Sequence, residues 1–449
     1  MKSLGRQLPI NIEMEERVVV RPPTWRETPY EISYLLVERE VTSSELVQLL
    51  KWAATQGLKN PKVITPHMVR WSSLLHPRFY HAVCKGNAMY PPLYWHDPDL
   101  PNDFTSLSRL WLESTQFLAG VTLCAAIIQN RYSRGTIESK LDKLWDAGRL
   151  ANEGMIPALT SLNLHTEINE LVRSQQSDQS KLFALRHWFK VILATLAPQT
   201  GQLKTMRTMP LPSEIAERFG FVKALRQSLG HQLHAVIVYG SSVSSTNYAD
   251  IDVLLIVKHS DEVLKKMAGT SPRWNGKELN MGVYSIEEFI TMQQLSGDNL
   301  LDYGICIWGE APVVHKPQAQ LLARNFSFGA IRQRQQLGML ARQFSATRLP
   351  LEDRTNLHQY FVKIPANVAK GTLGATNQRL SKDQINHWLV SQTDFDMYRA
   401  QDEARKGDIQ GALASSSLAT GKVLSALNQL MSVATARKNR ESPTFRTEP

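Results

Sequence analysis

Residues 234–257, HAVIVYGSSVSSTNYADIDVLLIV, constrain this chain more than any other stretch. Two apolar, β-branched runs, 234–239 and 251–257, read as buried strands. The first runs into Gly240-Ser241-Ser242, and eight residues then separate Ser241 from Asp250, which opens the triplet Asp250-Ile251-Asp252. Side chains alternate along a strand, so Asp250 and Asp252 share one face. Two carboxylates held that close repel and lose hydration, so they persist where a cation compensates. Mg²⁺ suits them, with Mn²⁺ as the alternative ion, because it takes hard oxygen ligands from one or two carboxylates and fills its shell with water and substrate phosphates. Gly240 permits close backbone approach, and Ser241 and Ser242 offer hydroxyls and backbone N–H groups to phosphate oxygens.

Around this segment the chain divides by pattern. Residues 1–30 are polar and proline-punctuated and are expected to form an irregular arm. Residues 31–197 read as a mostly helical N-terminal region. Thr42 and Glu45 form a capping box before a face of Leu46, Leu49, Leu50 and Ala53, with Gly57 at the stop. Helical patterns return over 105–130, over 136–147 and over 161–197. In the second of these Ile137, Leu141, Leu144 and Trp145 share a face and Gly148 is read as the terminator. That helix could belong to a winged helix-turn-helix or to a plain bundle. The loop 86–104 contains His96, Asp97, Asp99 and Asp103, read as turn chemistry rather than a metal site because none has a clear spaced partner. Residues 198–212 read as a linker, and a helix is expected from 213 to about Leu229. A third strand is expected at 277–284. From about 315 the pattern is helical, interrupted at Pro365, and a disordered tail is expected from 437.

Composition narrows the class. The chain has 449 residues with 43% hydrophobic and 20% charged, which excludes wholesale disorder and predicts several domains. Three cysteines, Cys84, Cys124 and Cys306, are too few and scattered for a disulfide framework or a thiolate zinc site. The N-terminus lacks the apolar core of a signal peptide, and the run 117–128 is too short to cross a bilayer, so a cytoplasmic protein with no membrane partner is expected. Of the net charge of +10, residues 311–449 carry +9, from 19 Lys and Arg against 10 Asp and Glu. A basic third of this kind is either a solvated surface or an attraction to a polyanion, RNA or DNA included.

The strand, Gly-Ser, spacer, Asp-x-Asp, strand order resembles the signature of the polymerase-beta-like nucleotidyltransferase superfamily. The resemblance covers roughly residues 213–310. It implies an α+β fold: a small mixed-sheet nucleotidyltransferase core, 213–312, flanked by helical N-terminal and C-terminal regions, the latter over 313–436. It implies an NTP as substrate, with Gly240, Ser241 and Ser242 at its triphosphate, and Asp250 and Asp252 as ligands of catalytic Mg²⁺. Such proteins usually carry a third carboxylate on a later strand, where this chain has Asn280. Glu278, two residues earlier on the same strand face, is the candidate third acid, with Glu310 and Asp302 as further options. Lys258 and Lys277 are candidate phosphate contacts. The expected activity is transfer of a nucleoside monophosphate to a hydroxyl acceptor, on a nucleic-acid end, a small molecule or a protein. The alternative is a catalytically weakened nucleotide or nucleic-acid sensor.

Overall fold

The computed structural model describes residues 8–21, 25, 30–66, 68, 104–132, 134–198, 201–246, 248–344, 359–376, 378 and 380–441. The chain is α+β and forms two compact units, one of Met1–Trp111 with Gln318–Pro449 and the other of Leu112–Pro317. The loop carrying His96, Asp97, Asp99 and Asp103 lies outside the described residues, as does Cys84.

In the first unit, β1 (Met14–Arg21) pairs antiparallel with β2 (Tyr30–Val37), which pairs in parallel with β3 (Lys62–Ile64). The expected irregular arm therefore contains a strand. Its local signal is the short β-branched run Val18-Val19-Val20, on a strand at the edge of its sheet with Val18 half exposed. The sheet becomes stable through a distant cover: Ile32, Tyr34, Leu36, Ile64 and Met68 bury against Leu337, with Leu418 packed alongside. Those last two residues lie on helices Gln318–Arg342 and Ile409–Glu441. The mostly helical region expected over 31–197 is thus shared between the two units, because β2 draws its apolar partners from the far end of the chain. Helix Ser43–Thr55 begins at the Thr42–Glu45 capping box and buries Leu46, Leu49, Leu50 and Ala53. Pro365 sits in the first turn of helix Ile364–Ala375, where its missing N–H costs nothing. The final helix runs to Glu441, past the expected start of a disordered tail.

The second unit holds a six-stranded sheet in the order β4-β9-β5-β6-β8-β7. Its strands are β4 (Gln202–Arg207), β5 (Leu233–Tyr239), β6 (Asp250–Val257), β7 (Arg273–Trp274), β8 (Lys277–Tyr284) and β9 (Ile305–His315). The expected strands over 234–239, 251–257 and 277–284 are all present. The expected linker contains β4, which pairs antiparallel along β9 from Gln202↔His315 to Arg207↔Glu310. Its residues 202–205 are exposed, so no buried apolar run marks it in sequence. The expected helix after 213 is two helices, Ser213–Arg218 and Val222–Leu229.

Helices Phe104–Ile128 and Asp178–Leu196 support the sheet through its second-unit contacts. Cys124 Sγ lies 3.6 Å from the Val283 carbonyl oxygen. Buried Arg186 donates to that same carbonyl at 3.2 Å and pairs with Glu288 at 3.1 Å and with Asp261. Helix Arg134–Asn152 continues through Gly148 instead of stopping there. A Cβ at 148 would come within 2.7 Å of the His165 ring, which stacks on Trp145 with centroids 3.9 Å apart, so this glycine serves close packing. Among the described residues no strand lies between Arg134 and Leu196. Among the described residues one segment, Arg109–Ile128, is long and apolar enough to cross a membrane, and 61% of it is buried within the protein.

Candidate functional site

The sheet topology gathers the sequence motif at one end. β5 runs antiparallel to β6 and β9, and β6 runs parallel to β8. The C-terminal end of β5 therefore meets the starts of β6, β8 and β9. The register sets Tyr239 opposite Asp252, Asp250 beside Glu278 and Asp252 beside Asn280. On β6, Ile251 and Val253 are fully buried whereas Asp250 and Asp252 are half-buried, so the acids lie on the more open face.

Gly240 closes β5 with φ +79° and ψ −155°, a region that side chains almost never adopt. A Cβ there would stand 2.5 Å from Asp252 Oδ2. The absence of a side chain thus leaves that carboxylate oxygen room beside the turn. Asp252 Oδ1 accepts a hydrogen bond from Asn280 Nδ2 at 2.9 Å. The asparagine at the position where a third carboxylate is expected is therefore an amide donor that holds Asp252 in orientation.

Ser241 and Ser242 separate in role. Ser241 is exposed at the start of the short helix Ser241–Ser244. Ser242 is fully buried and its Oγ donates to the Tyr239 carbonyl at 3.3 Å, so its hydroxyl braces the turn. Arg218 Nη1 donates to the Ser242 carbonyl at 2.5 Å and the Ser245 carbonyl at 2.9 Å, and its guanidinium lies 5.0 Å from the centre of the Tyr248 ring. Lys277 Nζ approaches the same ring at 5.5 Å. Both cations stand at the site's end of the sheet. Lys258 follows the last residue of β6 and so belongs to the opposite end, which removes it as a phosphate contact.

Of the candidate third acids, Glu278 is beside Asp250 but is held by Arg131, Nη1 to Oε1 and Nη2 to Oε2, each at 2.9 Å. Glu310 lies on β9 across from Arg207, with which it pairs at 3.3 Å, and next to the residue opposite Ala235, near the start of β5. It is at the wrong end. Asp302 ends the 3-10 turn Leu300–Asp302 that leads toward β9.

Sequence reasoning missed a group on this rim. Tyr239 and Tyr303 meet edge to face with ring centroids 6.0 Å apart. Burial, then the charges of Asp252, Asp298 and Asp250, push the Tyr239 phenol above its usual range. Burial and the charge and hydrogen bond of Asp298 do the same to Tyr303. Both phenols are therefore neutral donors at physiological pH. Period-two alternation puts Tyr239 on the same face as the acids once it is paired with β6, but nothing local links Asp298 or Arg131 to them.

Among the described residues no group of three or more His, Cys, Asp or Glu is arranged to hold a metal ion. Asp250 and Asp252 carry oxygen donors of the kind Mg²⁺ takes, and Asp252 Oδ2 lies against Gly240. Two carboxylates are a donor set that a hard divalent cation accepts when water completes its shell. No family model, curated protein or solved structure matches this chain.

Proposed function

We propose that this chain is a metal-dependent nucleotidyltransferase, moving a nucleoside monophosphate from an NTP to a hydroxyl acceptor with release of pyrophosphate. The observation that carries the reading is the side-chain-free approach of Gly240 to Asp252 at the mouth of the Asp250–Asp252 face. That contact joins the two halves of the motif in a conformation only glycine accepts readily.

In this reading Asp250 and Asp252 hold Mg²⁺, or Mn²⁺ in its place. The ion would supply positive charge to the phosphates and the departing pyrophosphate. Ser241 and the backbone N–H groups of the turn orient the triphosphate, while Ser242 and Arg218 keep the turn rigid. Asn280 fixes the Asp252 carboxylate. The acceptor is a hydroxyl on a nucleic-acid end, a small molecule or a protein, and the basic stretch 311–449 supports a polyanionic one. The scattered cysteines, two of them buried and free, accord with a cytoplasmic setting.

A second reading has its own observation. Glu278 is occupied by Arg131, and Asn280 stands where the resemblance expects a carboxylate, which favours a weakened enzyme acting as a nucleotide or nucleic-acid sensor. One experiment separates the two. Wild type and Asp252→Asn are incubated with each α-labelled NTP, Mg²⁺ or Mn²⁺ and RNA, DNA or small-molecule acceptors. Metal-dependent pyrophosphate release by wild type alone is expected. Saturable NTP binding without release from any NTP would replace transfer by sensing.

A further inference from the structure

Arg131 follows helix Phe104–Ile128 and lies 147 positions before the carboxylate it binds. The backbone behind it is fastened. Gly269 N–H donates to the Ile127 carbonyl at 3.0 Å and Ser271 N–H to the Ile128 carbonyl at 3.1 Å. Ser271 Oγ donates to the Gln129 carbonyl at 3.1 Å. The Arg131 side chain is 62% exposed, whereas that of Glu278 is 22% exposed. A fixed stem thus carries a solvated cation to a partly buried acid.

The acid's position gives the pair its meaning. Glu278 stands beside Asp250 on the neighbouring parallel strand, and Asp252 is two residues along on the same face. Three carboxylates in that arrangement favour any cation that can reach them. Arg131 is such a cation, supplied by the chain itself and matched to a carboxylate by its two-pronged geometry.

We propose that Arg131 is a tethered counter-ion that competes with the divalent cation at this site. While the pair holds, Arg131 offsets the Glu278 charge beside Asp250. A divalent ion at Asp250 and Asp252 would repel the guanidinium, and release of Arg131 would leave the Glu278 charge beside Asp250 to favour the ion. The high exposure of Arg131 makes the exchange reversible, since solvated ion pairs are weak. The inference rests on the reading of Asp250 and Asp252 as a metal site, and it assigns that site a built-in control on metal affinity.

The test is Mn²⁺ binding to the full chain, followed by loss of the free Mn²⁺ signal in electron paramagnetic resonance. Arg131→Gln is expected to bind Mn²⁺ roughly 3- to 10-fold more tightly than wild type, the range a released, geometrically good ion pair allows. Arg131→Lys, which keeps the charge but loses the fork, should fall between them. The gain should vanish in the Arg131→Gln/Glu278→Gln double variant, because it acts through Glu278. Unchanged or weaker binding by a folded Arg131→Gln variant overturns the proposal, as does a gain that persists without Glu278. Asp252→Asn separates the two levels. If it loses Mn²⁺ while Arg131→Gln matches wild type, the metal site stands and the counter-ion role falls; if it binds Mn²⁺ as wild type does, both fall.

Discussion

Replacing Gly240 with alanine tests the geometry on which the functional reading rests. Two costs arise, and they can be separated. The backbone at φ +79°, ψ −155° is in a region reserved almost wholly for glycine, which costs about 1–3 kcal/mol for any other residue. The new Cβ would also lie 2.5 Å from Asp252 Oδ2 and 3.5 Å from its Cγ, so the carboxylate must turn away. Turning it strains the 2.9 Å bond from Asn280, a charged hydrogen bond of the kind worth roughly 1.5–3 kcal/mol. Because the two costs overlap, a total of roughly 2–4 kcal/mol is expected. For a unit of this size that lowers the melting temperature of Leu112–Pro317 by ~5–15 °C. Calorimetry on the full chain measures the transition, and Mn²⁺ affinity measures the displaced carboxylate. Gly276→Ala is the control: its φ is +74° but nothing lies within 4 Å of the added Cβ. It should lose only the conformational part, about 1 kcal/mol, and keep Mn²⁺ binding. If Gly240→Ala melts like Gly276→Ala and binds Mn²⁺ like wild type, the close approach to Asp252 has no functional meaning.

Asn280→Asp should exchange a favourable hydrogen bond for a second charge beside Asp252, lowering the melting temperature without metal and enlarging its rise on Mn²⁺ addition; thermal melts with and without Mn²⁺ check this. Arg186→Met removes the buried partner of Glu288 and should cost roughly 3 kcal/mol in urea unfolding, the low end for a broken buried pair, because Lys190 still reaches Glu288 at 2.5 Å. The Arg39 hydrogen bond, then the Thr42 backbone N–H, hold the Glu45 carboxyl at about 2 against an ordinary value of 4.5. A lowered carboxyl stabilises the folded state fully above about 4.5, and that stabilisation is lost as pH falls toward about 2. Glu45→Gln should therefore melt earlier at pH 6 and show a shallower decline over that acid window.

The sequence alone determined the local features of this protein. β5 and β6 follow from runs of Val, Ile and Leu whose burial needs no distant information, and β8 from the alternation of Leu279, Met281 and Val283. Their period of two puts Asp250 and Asp252 on one face whatever the rest of the chain does. The Thr42–Glu45 cap and its apolar stripe are likewise readable, since every interacting group lies within a few turns of helix. Tertiary structure decided what depends on partners far along the chain. β4 carries little apolar signal and β1 only the short run Val18-Val19-Val20; both are edge strands of their sheets and pair with β9 and β2. The union of the N-terminal sheet with the last helices comes from the apolar surface of β2 finding Leu337 and Leu418. In the candidate site, the acid pair could be named from spacing. That Glu278 is bound by Arg131, that Asn280 orients Asp252 and that Tyr239 and Tyr303 adjoin Asp298 depend on register between strands and on loops. Register is set by which faces bury together, and a linear pattern cannot carry that choice.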